Sequence, residues 1–231
     1  MRAHRAFTKK LEPVVKLTGN EASHIRVLRA NVGDLVTLFD GAGLEAEATI
    51  TALEDFSVLL EVGETRMVNL EPPQPMTLAI ALLKGDKLSE VVRAATELGV
   101  SRFQLLITEH SDVKDIGAQK LERLQRVALE ASKQCRRAVT PVVIAPIKLK
   151  ALEPVQCGLV AHPGSSLKPR EALNWDAPVT IATGSEGGFS SLEVEFLERN
   201  GFVSVGLGPR ILRAETAPIA ILGALTAGEG W

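Results

Sequence analysis

The chain reads as an α/β protein, with a domain built on a mostly parallel sheet behind a small β-rich module. Three observations predict this. From Met76 onward, short apolar runs alternate with stretches of helical periodicity, the pattern of strands linked by crossover helices. Residues 1–70 instead show short strand-like runs punctuated by glycine turns. Between them lies Glu71-Pro72-Pro73-Gln74-Pro75, in which the prolines stop both helix and central strand, so the domain boundary falls here. The expected domains are 1–71 and 76–231. The length of 231 residues, 45% hydrophobic and 23% charged, suits a soluble globular protein. No apolar run approaches the roughly 20 residues of a membrane span. The opening MRAHRAFTKK has no apolar stretch behind it, so no secretory signal is expected. Cys135 and Cys157 lie far apart without a CxxC partner, which predicts reduced thiols, a cytoplasmic location and no metal site.

In the first module, Asn20–Leu28 has Ala22, Ile25 and Leu28 on one face, with Asn20 suited to cap a short helix. Leu35–Phe39 and Glu45–Ile50 form a hairpin around Asp40-Gly41 and Gly43, and Phe56–Val62 is a further strand. In the second, Met76–Leu83 has the length of a buried strand. Asp86–Leu98 is a helix with Leu88, Val91, Val92, Ala95 and Leu98 inward, stopped by Gly99. Phe103–Thr108 is a strand and Ala118–Cys135 a long helix. Val142–Ile144, Leu159–Ala161 and Val179–Ala182 are short strands.

Most of the chemistry falls between Thr183 and Pro218. Val179–Ala182 runs into Thr183-Gly184-Ser185-Glu186-Gly187-Gly188, where bare backbone lets a ligand approach closely. Ser190 and Glu193 form a capping box that starts a helix at Ser191. That helix stops at Asn200-Gly201, and Val203–Leu207 is the next strand, ending in Gly206-Leu207-Gly208-Pro209. Glu215 or Thr216 is placed to cap a last helix with Pro218 in its first turn. That helix is apolar nearly all round, which predicts burial. The two glycine turns are expected side by side at one sheet edge. Neither matches GxxxxGK[ST] or GxGxxG, so a phosphate cradle is disfavoured. A neutral pocket of backbone groups walled by Leu207, Ile211 and Leu212 suits an adenine-and-thioether ligand, with ordinary connecting turns as the even alternative.

The net charge of −2 hides an asymmetry: residues 1–30 carry seven Lys/Arg against two acids, and Lys133, Arg136 and Arg137 form a second cluster. Charge alone favours a solvated surface there, with nucleic-acid contact as the alternative.

At this point a resemblance becomes specific. His24…Val27-Leu28-Arg29, Lys84-Gly85-Asp86-Lys87, Ala95-Thr96-Glu97-Leu98-Gly99-Val100 and Glu130-Ala131-Ser132-Lys133-Gln134-Cys135-Arg136-Arg137 carry part of it. Gly184-Ser185-Glu186-Gly187-Gly188-Phe189-Ser190 and Leu207-Gly208-Pro209-Arg210-Ile211-Leu212-Arg213-Ala214-Glu215-Thr216-Ala217 carry the rest. The chain resembles the 16S ribosomal RNA uracil-N3 methyltransferase family, in the SPOUT class of S-adenosylmethionine enzymes. It departs from the family only in small ways: Ser185 stands where proline is common and Cys135 where serine is common. The resemblance implies a PUA-like β-barrel, a C-terminal α/β domain with a trefoil knot, a homodimer, and a 16S ribosomal RNA substrate in the small subunit.

It also implies roles. The methyl donor S-adenosylmethionine is expected against Gly184, Glu186, Gly187, Gly188, Leu207, Gly208, Ile211, Leu212, Arg213 and Thr216. Arg213 is the first choice for stabilising the N3 anion, with Arg210 second; Glu215, Glu186 and water are candidates for the base. Thr216 as a helix cap has an adequate structural role already. Leu159–Gly164 can add a wall. RNA contacts are expected from Arg2, Arg5, Arg26, Arg29, Lys133, Arg136 and Arg137. Another RNA base or a ribose hydroxyl as target, a non-catalytic RNA-binding assembly protein, and a nucleotide-binding α/β enzyme are the alternatives.

Overall fold

The strands of residues 4–227, which the computed structural model describes, sort into two sheets. The chain divides into two units: one runs to Leu70 and includes Ser132–Thr140, and the other holds Glu71–Ala131 and the chain from Pro141 on.

The first unit is built from β1 (His4–Phe7), β2 (Val14–Thr18), α1 (Gly19–Val27), β3 (Leu35–Phe39), β4 (Leu44–Glu54) and β5 (Ser57–Met67). Its sheet runs β1-β3-β4-β5-β2, antiparallel except where β1 pairs with β3. Alternate residues turn inward, so that Val15, Leu17, Val36, Leu38, Val58 and Leu60 meet Ala22 and Ile25 of α1 in one core. β1 and β2 are missed by sequence reading. The expected cap also differs. α1 starts one residue earlier, with Thr18 at the cap position and no side-chain capping bond, so Asn20 is already inside the helix. The hairpin turn is held as Asp40 predicts, its Oδ1 accepting from Ala42 N–H at 2.7 Å and Leu44 N–H at 3.0 Å.

The far end of α1 is unusual. Arg29 N–H donates to Arg26 C=O at 2.8 Å and Ala30 N–H to Ile25 C=O at 3.4 Å, a Schellman closure. That closure puts Arg29 at φ +56°, a position glycine normally fills. Arg136, directly after α3 (Gly117–Cys135), has φ +67°. These two arginines are the non-glycine residues with positive φ among the described residues.

Residues 132–140 join the first unit through specific bonds. Lys133 Nζ forms a salt bridge with Glu21, whose other oxygen accepts from Phe7 N–H at 3.0 Å. Gly43 N–H donates to Ala138 C=O at 3.1 Å, and Thr140 N–H to Gly41 C=O at 2.9 Å. Arg5 donates to Glu45 at 2.7 Å and to Arg137 C=O at 3.1 Å, with its guanidinium 4.7 Å from the Phe39 ring centre.

The second unit holds β6 (Met76–Ala81), α2 (Lys87–Glu97), β7 (Val100–Ile107), most of α3, β8 (Val142–Lys148), β9 (Cys157–Ala161), α4 (Pro169–Ala172), β10 (Val179–Thr183), α5 (Ser191–Arg199), β11 (Phe202–Val205) and α6 (Thr216–Thr226). Its sheet is parallel throughout, in the order β11-β9-β10-β6-β7-β8. Both faces are covered. Leu78, Ile80, Leu105, Leu159 and Ile181 pack with residues of α2, α3 and α6. Their sequence neighbours Ala79, Leu106, Val160 and Ala182 face Leu197 of α5 and Leu149. Burial on both faces explains why these strands read as continuous apolar runs. α6 is less enclosed than its composition predicts: Pro218, Ile221, Leu222 and Leu225 are buried, while Ala220 and Ala224 are partly exposed.

Candidate functional site

The two glycine turns leave β10 and β11, but these strands are not neighbours. β9 lies between them, so the expected side-by-side arrangement is corrected: the turns flank a third loop, Ala161-His162-Pro163. Strand order cannot be read from local periodicity, and here the chain crosses over twice. The three loops surround a cleft of about 620 Å³ at the carboxyl ends of the strands, where parallel sheets place ligands.

The first turn is shaped by close backbone packing. A Cβ on Gly184 would lie 2.8 Å from the Gly188 carbonyl carbon, so no side chain fits there. The turn is braced from behind by the capping box of α5. Buried Glu193 accepts Ser190 N–H at 3.0 Å and, with its other oxygen, Glu109 N–H at 2.7 Å. His110 Nδ1 lies 3.0 Å from Gly187 C=O. On the opposite side, Gly206 N–H donates to Leu167 C=O at 2.8 Å, and Ser165 Oγ donates to Ser204 C=O at 2.7 Å. A Cβ on Gly206 would lie 1.9 Å from Ser165 O, so only glycine permits these two chain segments to pass this closely.

The cleft brings together Gly184, Glu186, Gly187, Gly188, Leu207, Gly208, Arg210, Ile211, Leu212, Arg213 and Glu215. It does not include Thr216. Thr216 is exposed as the first residue of α6, and the cap position is taken by Glu215, which makes no side-chain capping bond. Sequence reading missed Lys87, although KGDK was among the segments carrying the resemblance.

Lys87 also corrects the expectation of a neutral pocket. Its Nζ lies 3.2 Å from Glu186 Oε1 and 3.3 Å from Glu215 Oε2. The second pairing has the distance of an ion pair but not the alignment of a hydrogen bond. Buried Oε2 therefore sits beside a cation and keeps an unfilled acceptor position. Burial pushes the Glu186 carboxyl up, but its own N–H, the Lys87 ammonium and the Lys84 N–H together hold it below the usual carboxylate range. The two carboxylates beside it, Glu186 first and then Glu215, raise Lys87 above the ordinary lysine value. Lys84 pairs with Asp112 at 2.8 Å. Arg213 is mostly exposed, with Nη1 3.9 Å from Glu215 Oε1. The hydroxyls of Thr183 and Ser185 are buried beside the cleft with no hydrogen-bond partner.

The basic residues divide sharply. Arg26, Arg29 and Arg136 are exposed. Arg5, Lys133 and Arg137 are not free for phosphate: Lys133 and Arg137 are buried, and Arg5 is taken up by Glu45 and Phe39. Their charge type suggested a solvated surface, whereas the fold uses them internally. Arg2 lies outside the described residues. Among the described residues no cluster of His, Cys, Asp or Glu is placed to hold a metal ion, and no helix is long and apolar enough to cross a membrane.

The cleft-bearing parallel-sheet unit lies within residues matched by an RNA methyltransferase profile that covers more than half of the sequence, and the chain belongs to that family. The family profile described as RNA methyltransferase domain matches residues 70–226, and that described as RNA methyltransferase PUA domain matches residues 17–62. Its relatives within the family are ribosomal RNA small subunit methyltransferase E proteins. That of Synechocystis is 37% identical, over 94% of this chain and 74% of the relative. That of Bacillus subtilis is 34% identical, over 93% and 90%. The Neisseria gonorrhoeae ribosomal RNA small subunit methyltransferase E, crystallised with S-adenosylmethionine, superposes with a TM-score of 0.90 at 28% identity over 97% of both chains. A Legionella pneumophila structure in complex with the same cofactor gives 0.88 at 32% identity over 98% of both.

Proposed function

We propose that this chain transfers a methyl group from S-adenosylmethionine to N3 of a uridine in the 16S ribosomal RNA of the small subunit. The observation that carries the reading is the single cleft formed by both glycine turns, with Arg213 and Glu215 on its rim. The cleft fits the donor on its own terms. Leu207, Ile211, Leu212 and Phe189 offer an apolar wall, the glycine turn offers bare backbone, and two buried hydroxyls and a buried carboxylate oxygen await partners. Residues 183–188 and 207–213, with Ala161–Pro163, would hold it. When bound, S-adenosylmethionine supplies a methyl group activated on a sulfonium.

The rest falls to the chain. A sulfonium is already a good leaving group, so the chain's main task is to hold donor and target in line. Arg213 places a cation beside the anion that forms when the imide loses its N3 proton. Glu215, with an open acceptor position, takes that proton, directly or through water. N3 lies on the Watson–Crick edge, so the target uridine is unpaired or flipped out. Arg26, Arg29 and Arg136 contact phosphate. Two of them hold left-handed backbone that glycine would adopt more cheaply, which supports selection for the side chain.

We further propose a cytoplasmic homodimer, a PUA-like domain 1–71 with a catalytic domain 76–231 that lends residues 132–140 to the first unit, and a trefoil knot. The tight passage of Ser204–Leu207 against Ser165–Leu167 supports the knot. The test incubates the protein with small subunits or ribosomal RNA lacking the modification and labelled S-adenosylmethionine, then maps the product nucleoside. The proposal expects 3-methyluridine; a methylated ribose or another base would move the chain to a different target. Titration with S-adenosylhomocysteine that produced no heat would favour a non-catalytic RNA-binding protein.

A further inference from the structure

The loop from Lys84 into Lys87, the first residue of α2, follows β6, the strand beside β10, and through Lys87 it joins the cleft alongside both glycine turns. Lys87 stands between two carboxylates from different walls: Glu186 belongs to the turn after β10, and Glu215 sits at the mouth of α6. We infer that Lys87 is a positioning residue for the methyl transfer proposed above, its one ammonium tying Glu186 to Glu215 and holding the two walls of the cleft together. The inference rests on that reading of the cleft.

The surroundings single Lys87 out. Glu186 Oε1 has two outside contacts, the Lys87 ammonium and Lys84 N–H at 3.3 Å, and both come from this loop. The Lys84 ammonium itself is turned to Asp112. Arg213 is 3.9 Å from the other oxygen of Glu215, too far for a hydrogen bond. Arg210 and His162 line the same cleft, and His110 contacts the turn through Gly187 C=O. Lys87 is thus the cation in contact with both carboxylates. Without it, two like charges would face each other across the cleft, and each would favour protonation or displacement. Its raised pKa keeps it charged near neutral pH, so it is not the proton acceptor. Its work is done through the two glutamates.

The test compares Lys87→Met and Lys87→Arg with Glu186→Gln, using two readouts: titration with S-adenosylhomocysteine and single-turnover methylation of small-subunit RNA. Lys87→Met should slow methylation on the order of 100-fold, the scale of a misplaced reacting pair. It should also move the acid limb of donor affinity to higher pH, because Glu186 loses a partner that favours its charged form. Lys87→Arg keeps the charge with a different shape and should fall between wild type and Lys87→Met. Adding Glu186→Gln to Lys87→Met should cost little more, because both remove one interaction. Should Lys87→Met fail to fold, the Glu186→Gln and Glu215→Gln pair carries the test, with a non-additive effect expected and an additive one overturning the inference. Wild-type rates and an unmoved acid limb in Lys87→Met would overturn it, as would Lys87→Arg behaving no better than Lys87→Met. Wild-type protein that binds no S-adenosylhomocysteine and methylates no RNA overturns the proposed function itself, whatever the variants do.

Discussion

Replacing Arg29 with glycine should leave the first unit as stable as before or more stable, while weakening its hold on RNA. Arg29 sits at φ +56°, closing α1. Left-handed backbone costs a side-chain-bearing residue about 1–2 kcal/mol. Glycine removes that cost but loses roughly 0.5–1 kcal/mol through the extra freedom of the unfolded chain. The balance is about 0–1.5 kcal/mol in favour of the variant. On a unit of this size each 1 kcal/mol of that gain raises Tm by roughly 4–8 °C. The Arg29 side chain makes no hydrogen bond or ion pair among the described residues, so nothing in the fold offsets the gain. Losing one phosphate contact to a single strand should lower the slope of log affinity against log salt by ~0.7. Arg136→Gly should behave alike, and the double variant should lose about twice the slope. Calorimetric melting and filter binding across a salt series measure both. A drop in Tm would mean that the arginine supports the fold. An unchanged salt slope would return both residues to an ordinary solvated surface.

Arg213→Ala should cut methyl transfer far more than S-adenosylhomocysteine affinity, because its side chain is mostly exposed at the rim; equal loss of both would make it a donor contact only. Gly184→Ala forces a Cβ to within 2.8 Å of Gly188, and donor affinity should fall at least about tenfold, with an unaltered titration showing that the turn yields. Glu45 is buried, which pushes its carboxyl up, but its bonds to Arg5 and Arg66 hold it below its ordinary 4.5. The folded state thus binds that proton less readily than the unfolded chain. Its contribution to stability is present above the ordinary value and disappears as pH falls through the depressed one. The Tm advantage of wild type over Glu45→Gln should therefore be large near neutral pH and shrink below pH 4.5; a constant gap would remove Glu45 from the acid response.

What could be read in the sequence was local. The Ser190–Glu193 capping box, the stop at Gly99 with φ +90° and the Asp40 turn each need only residues a few positions apart, and each is present. The resemblance likewise drew the cofactor-wall residues together, since they fall in two short segments. What could not be read was long-range. No periodicity says that β9 lies between β10 and β11, nor that Lys87 meets two glutamates far downstream, Glu186 and Glu215. Lys133 and Arg137 looked like surface cations because their burial depends on partners such as Glu21, which lies 112 residues from Lys133. Of the two residues offered for the last cap, Glu215 holds the position without a side-chain capping bond, and Thr216 opens the helix.

Residues 132–140 also bear on the order in which the protein can be made. The ribosome delivers the N-terminal strands first, yet Glu21 and Arg5 wait for Lys133 and the Arg137 carbonyl, 112 and 132 positions downstream. At ~5–20 residues per second, the roughly 60 residues between the end of the first segment and its returning piece take roughly 3–12 s to appear. During that interval Glu21 has Phe7 N–H but not the Lys133 ammonium, and Arg5 has Glu45 and Phe39 but not the Arg137 carbonyl. A fragment ending at the proline run would stay in that state permanently. Supplying the 132–140 stretch as a separate peptide should then raise its melting temperature.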